Sequence, residues 1–408
     1  MKADKWKSGV TLFLSGMVVF HVLVLWQLRT QIAEGFGDFT VFNTAGKLVL
    51  HGQARQMYDP ETQWLTQREF ASEVQMRNGP LLYVRPPFEA VLFAPFCGLS
   101  FPAAWAAWTV VKLALLFAIP FLLKPYIQPM WFSPPLAGFF SLGFFPVSVD
   151  LLHGQDSILY LFILVLCFRA LRQSADLRAG MFLGLGLIKF HLVLPIALLF
   201  LLRGKWRVVA GFLLAGVALL LVSTGLMGWA GVASYPQYLW DFSNASGVGV
   251  SAWQMPNVRA LLAACAQALG HPQHLAGIVA LAALLGVVFV AWLWRSADDD
   301  PQSVSIGFSL AIVISILFSY YAYPYDLTAL LLPLMVLSGS FIHDAELRGY
   351  PRTIFLTSAI LLGLSPLFWI LLLRSRQFYW VGFLAVFLMG IALTLAMWRE
   401  RNAGSHAA

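Results

Sequence analysis

The side chains able to move protons or hold charged groups fall in a few short clusters of this chain. Asp38, in GFGDFTVFNTA (35–45), offers a carboxylate between Gly37 and Phe39. So placed, it serves either as a base or as the N-cap of a helix formed by FTVFNTAGKLVL. Asp59 in MYDPE precedes Pro60 and reads as a helix start. Arg85 in RPPF presents a guanidinium that can grip an oxyanion bidentately or snorkel toward headgroups. HGQDS (153–157) sets His153 and Gln155 on either side of a glycine suited to a tight turn, with Asp156 or Ser157 placed to cap the next helix. KFH (189–191) puts Lys189 and His191 inside an apolar run, where ionisable groups are costly and point to a lined cavity. WQMPNVRALL (253–262) carries Asn257 and Arg259 at a helix start, whose open amides suit an anion. YYAYPYD (320–326) supplies Tyr323 and Asp326 beside tyrosines that belong equally well in an interfacial belt.

The elements that position these groups must lie in lipid. Of 408 residues 60% are hydrophobic and only 11% charged, more apolar surface than a soluble domain can hide. The apolar runs are continuous rather than alternating, which excludes a β-barrel and makes the class all-α, a polytopic transmembrane helical protein. Apolar segments fall at 8–28, 103–123, 133–150, 156–171, 179–189, 191–202, 207–228, 275–294, 304–321, 326–342, 353–373 and 378–398, about twelve spans in one integral-membrane domain. The N-terminal run is too long for a signal peptide and lacks a small-residue cleavage site, so it reads as a retained first helix. PPFEAVLFAPFCGL (86–99) is short, proline-broken and contains Glu89, and reads as re-entrant or interfacial. ETQWLTQREFASEVQMR (61–77) reads as an amphipathic surface helix.

Charge then sorts the loops. The net charge of +7 comes from short basic connections at Lys124, 169–178, 203–207, Arg295, 343–352 and 398–402, which marks cytoplasmic loops and not a nucleic-acid surface. All share one side with the N-terminal lysines if 86–99 does not cross and if 179–202 goes out and back, turning at KFH. Both termini are then cytoplasmic, and Arg374 and Arg376 fall on the other side. The long loops 29–102 and 229–274 lie opposite, with HGQDS, KFH and YYAYPYD. The polar groups hardest to explain structurally therefore gather at one membrane surface. ADDD (297–300) reads as a solvated loop, Lys112 as paired or snorkelling, and Cys97, Cys167 and Cys265 as packing residues at no metal-like spacing.

In order, GDFTVFNTAGKLVLHGQARQMYDP, VRPPFEAVLFAPF, HGQDSILYLFILVLCFRALR, AGMFLGLGLIKFHLVLPIALLFLLRGKWR, MPNVRALLAA and YYAYPYDLTALLLPL resemble glycosyltransferase family 87 over residues 30 to 340. These are polyprenyl-phosphate-mannose-dependent transferases of GT-C architecture. The resemblance implies an active site on the outer face of the plasma (inner) membrane and a lipid-linked sugar donor as co-substrate. It also implies inversion at the anomeric carbon and a catalytic aspartate in the first long loop, matched here by Asp38. Mannose as the sugar is likewise implied by the resemblance alone. Within that frame Lys189, Arg259, Arg85 and His191 are expected to steady the donor phosphate, and His153, Gln155, Asn257, Tyr323 and Asp326 to position sugar or acceptor. No metal is expected, because the leaving group carries one phosphate. The other partners are a lipid or glycan acceptor and membrane lipids. A lipid or solute transporter, or an envelope assembly protein binding the same lipid, are the rival classes.

Overall fold

The structure is a computed structural model that describes residues 2–71, 79–127, 133–244, 252–268, 275–295, 300–371 and 378–407. It is 83% helical, with no strand among the described residues. The first apolar helix is α1 (Lys2–Gln27), followed by the short α2 (Arg29–Ala33). The first long loop then folds into α3 (Phe39–Leu50), α4 (Pro60–Arg68) and α5 (Glu89–Phe93). α6 (Phe101–Leu123) leads to the bent pair α7 (Pro134–Ser141) and α8 (Phe145–His153), then to α9 (Ser157–Arg172). α10 (Asp176–Leu185) and α11 (Phe190–Leu202) are joined by a 3₁₀ turn, Gly186–Lys189. α12 (Trp206–Asn244) kinks at Gly228, whose φ of 72° and ψ of 167° leave the helical region. α13 (Val258–Ala268) and α14 (Leu275–Arg295) follow, then α15 (Pro301–Leu317) and a 3₁₀ segment, Pro324–Leu330. The chain closes with α16 (Leu331–His343), α17 (Tyr350–Gly363), α18 (Ser365–Ile370) and α19 (Phe378–Ala407).

Seven described runs are long and apolar enough to cross a bilayer, or eight if α7 and α8, bent by 66°, form one span. Not all of the twelve apolar segments of the sequence are therefore long enough as single helices to meet that measure. The reason is length: α9 has 16 residues and α15 has 17, and the 353–373 segment breaks at Leu364 into α17 and α18. At 1.5 Å per residue such helices fall short of a ~30 Å core. The 86–99 segment is shorter still, a five-residue helix followed by a 3₁₀ turn, Ala94–Phe96. α4 covers only the start of the expected 61–77 helix, and residues 72–78 lie outside the described residues. So do Arg374, Arg376 and residues 297–299 of ADDD.

The run from Asp176 to Leu202 goes up and back. Ser174 and Asp176 at its start line one cavity of about 230 Å³ together with Arg203 and Lys205 just past its end. α10 also runs parallel to the start of α12. A Cβ on Gly184 would lie 2.6 Å from that of Ala215, and one on Gly211 would lie 2.0 Å from the Leu177 carbonyl oxygen. Small residues at these positions let the two backbones approach, which is how helices associate where water cannot drive them together. The turn of this hairpin is Gly186–Lys189, so Lys189 is carried to the end of the bundle away from the basic connections.

Those connections meet at the other end. Arg172 donates to Ser305 Oγ at 2.9 Å, and Arg203 to the Trp294 carbonyl at 3.4 Å. Gln302 donates to Glu400 at 2.8 Å, and Arg399 to the Glu346 carbonyl at 2.6 Å. One main apolar core packs between the two ends, and a second beneath α3 is built from Phe39, Phe42, Phe93 and Trp108. Phe42 and Phe93 stack at 4.5 Å, tying α3 to α5. Lys112, inside α6, pairs with Asp150 at 2.9 Å.

Candidate active site

Asp38 occupies the N-cap position of α3 but makes no side-chain cap bond. Its carboxylate faces the 153–157 turn instead. Gln155 Nε2 donates to Asp38 Oδ2 at 2.6 Å, and His153 Nδ1 lies 3.6 Å from the same oxygen. The Asp38 side chain is 36% exposed and that of His153 28%, so both remain open to an incoming molecule. Two glycines make this meeting possible. A Cβ on Gly37 would sit 3.0 Å from the His153 backbone, and one on Gly154 would press within 2.6 Å of Phe39 Cβ. Gly154 also ends α8 in the left-handed region, at φ 67°, so it is required twice over.

Behind Gln155 stands a buried set of charges. Gln155 Oε1 accepts from Arg85 Nη2 at 3.1 Å, and Arg85 Nη1 donates to the Ile188 carbonyl at 3.3 Å. Arg85 also lies 3.6 Å from Asp156. Lys189 Nζ bridges Asp156 Oδ1 at 2.8 Å and Asp326 Oδ1 at 2.9 Å, with no solvent exposure of its own. Asp326 Oδ2 accepts from the Tyr323 backbone amide at 2.8 Å. Two cations thus face two carboxylates, which is the condition for keeping such groups out of water. Burial alone would raise the Asp156 carboxyl, but Lys189 and Arg85 outweigh it and hold the group below the usual carboxylate range.

The remaining expected residues divide between the site wall and its rim. Asn257 caps α13, its Oδ1 accepting from Ala260 N at 3.1 Å while Nδ2 donates to the Ser319 carbonyl at 2.9 Å. Arg259 donates to the Tyr320 carbonyl at 2.8 Å and stacks 3.7 Å above the Tyr320 ring. Among the described residues it forms no ion pair with a carboxylate. Tyr323 packs on Tyr325 at 5.6 Å, and Tyr325 in turn faces Lys189 at 5.2 Å and His153 at 6.4 Å. His191 opens α11 edge-on to Phe190, and its Nε2 has no hydrogen-bond partner among the described residues.

Sequence reasoning passed over Asp156, Glu89 and Tyr325. Asp156 reads as an ordinary helix cap, yet its side chain makes no cap bond and instead holds Lys189 and Arg85. The available signal was Lys189 itself, because a lysine in lipid needs a counter-ion. Among the described residues no group of three or more His, Cys, Asp or Glu side chains is placed to hold a metal ion.

The chain is an all-helical membrane protein with a half-open carboxylate beside a buried charge network. Its class is that of the membrane glycosyltransferases. The chain belongs to glycosyltransferase family 87, whose model matches residues 83–319. The match contains Arg85, His153, Gln155, Lys189, His191, Asn257 and Arg259, whereas Asp38, Tyr323 and Asp326 lie beyond its ends. No curated protein and no solved structure matches the chain.

Proposed function

We propose that this glycosyltransferase moves a sugar, mannose by the family resemblance, from a polyprenyl-phosphate donor to a lipid or glycan acceptor. The reaction takes place on the extracytoplasmic face of the plasma membrane. The observation that carries the reading is the carboxylate of Asp38, turned away from its own helix and held by Gln155 at the open edge of the network. Asp38 takes the proton of the acceptor hydroxyl as that oxygen attacks the anomeric carbon. The bond from that carbon to the phosphate oxygen breaks from the opposite face, and its electron pair leaves with the polyprenyl phosphate. One base suffices for such an inverting displacement.

The remaining residues take their roles from their partners. Arg259 has a cation to offer the leaving phosphate, and Arg85 is second to it because Asp156 and Gln155 already engage its guanidinium. Lys189 acts mainly by pinning Asp156 and Asp326, with His191 in the wall beside it. His153, Gln155, Asn257, Tyr323 and Asp326 shape the pocket for sugar and acceptor. The basic connections at the opposite end support placing that end, with both termini, on the cytoplasmic side. Incubating the purified protein with radiolabelled polyprenyl-phosphate mannose tests the reading. Release of free polyprenyl phosphate with label passing to an acceptor is expected, and movement of intact donor between leaflets without turnover would overturn it.

A further inference from the structure

A further buried carboxyl lies beneath the site, unused by the reaction above. Glu89, the first residue of α5, is 1% exposed, and neither of its oxygens meets a hydrogen-bond donor among the described residues. The titratable groups that face it come from five places. They are Tyr83 and Arg85 just upstream, Tyr58 after α3, Tyr235 on α12, Asp156 in the turn before α9, and Lys189.

None of the tyrosine hydroxyls is aimed at Glu89. Tyr58 donates to the Arg85 carbonyl at 2.7 Å, Tyr83 to that of Pro86 at 2.9 Å and Tyr235 to that of Val84 at 3.0 Å. On α3, Lys47 lies over the Phe70 ring at 5.0 Å, and the Cys97 thiol beyond α5 donates to the Asn43 carbonyl at 3.3 Å. An ionised carboxylate here would be buried with no donor, a state proteins avoid by keeping the proton. The Asp156 carboxylate is within hydrogen-bonding reach. Two carboxyl groups so close do not both ionise. Asp156 has Lys189 at 2.8 Å and Arg85 at 3.6 Å, so the negative charge belongs on Asp156 and the proton on Glu89.

We propose that Glu89 is kept as an un-ionised acid that donates a hydrogen bond to Asp156, and so acts as a positioning residue for the charge network under the donor phosphate. Burial, reinforced by Asp156, lifts this carboxyl well above the usual carboxylate range. With Glu89 neutral, Arg85 and Lys189 balance Asp156 and Asp326, and an arriving phosphate meets no surplus negative charge. Ionised, Glu89 would add one. This last step rests on the transferase reading, while the protonation state does not.

The test is the infrared spectrum of the full chain in lipid nanodiscs without donor, as wild type, as Glu89→Gln, and as wild type with isotopically labelled glutamate. An un-ionised carboxyl stretch at neutral pH that shifts with the label and is missing from E89Q is expected, and it gives way to carboxylate bands only as pH climbs through the raised value. Carboxylate bands in its place overturn the proposal, and the labelled wild type gives that answer even if the variant does not fold. Because the folded state prefers the protonated acid, wild-type stability falls as pH climbs from the ordinary carboxylate range through the raised value. E89Q lacks that fall, and a variant as pH-sensitive as wild type contradicts the assignment. With polyprenyl-phosphate mannose, the wild-type donor KM rises as pH climbs through that same raised value, and that of E89Q stays level. If neither protein turns over the donor, the infrared band still judges Glu89, and only the transferase reading fails.

Discussion

Gln155 donates a 2.6 Å hydrogen bond to the carboxylate of Asp38, across 117 residues of sequence. The bond occupies one of the lone pairs of Oδ2 and leaves the Asp38 side chain 36% exposed. It also links the proposed base to the buried charges, because the same amide accepts from Arg85.

Replacing Gln155 by leucine keeps the bulk and removes both bonds. Asp38 then loses its orientation, and kcat is expected to fall by about ten- to a hundredfold, the scale of a misplaced reacting group. Steady-state kinetics on the purified variant, alongside its melting curve, separates this from unfolding. Unchanged kcat would show that Asp38 does not depend on Gln155.

Lys189→Met leaves Asp156 and Asp326 facing each other without their shared cation. Removing one partner of a buried pair costs about 3–5 kcal/mol, so thermal unfolding in detergent should shift strongly downward. Adding Asp326→Asn should recover part of that loss. A lysine reserved for the donor phosphate would instead raise the donor KM and leave the melting temperature unmoved.

Arg259→Gln is expected to show the opposite pattern. Its guanidinium rests on Tyr320 and a carbonyl rather than on a carboxylate, so its loss should barely alter stability. Losing a charged hydrogen bond to phosphate costs about 1.5–3 kcal/mol, a tenfold or larger drop in donor affinity. Equilibrium binding of a fluorescent polyprenyl phosphate reads this directly, and an unchanged affinity removes Arg259 from the phosphate site.

Asp59 is the other aspartate of the first loop, and it behaves as a cap. It accepts from the Thr62 amide at 2.9 Å and the Thr62 hydroxyl at 2.5 Å. These bonds hold its carboxyl below the usual range, despite its exposure. Its contribution is present above the unfolded carboxylate value and disappears as pH falls through the lowered one. Asp59→Ala should therefore cost at most about 1 kcal/mol at neutral pH and progressively less in acid, with transfer retained. Chemical unfolding at two pH values checks the sign, and loss of turnover would reopen the choice of base.

Composition and apolar run length made the helical membrane class legible, and the spacing of basic loops anticipated the two ends of the bundle. The hairpin turning at Lys189 was readable because a lysine and a histidine interrupt an otherwise apolar run that lies between two basic connections. What the sequence hid were pairings between distant segments. Asp156 looks like any residue before a helix, and only the fold brings Lys189 and Arg85 against it. Glu89 looks like the first turn of a short surface helix until burial removes its solvent. The number of crossings was obscured for a different reason: hydropathy marks apolar segments, but it does not say which of them turn back.

The most direct measurement compares wild type with Asp38→Asn in one preparation, following donor binding and transfer of radiolabelled sugar. The substitution preserves shape and removes basicity. Donor affinity within about twofold of wild type, with transfer reduced by about 10²–10⁴, is the result the account predicts. An Asp38→Asn protein that transfers sugar at the wild-type rate would contradict it.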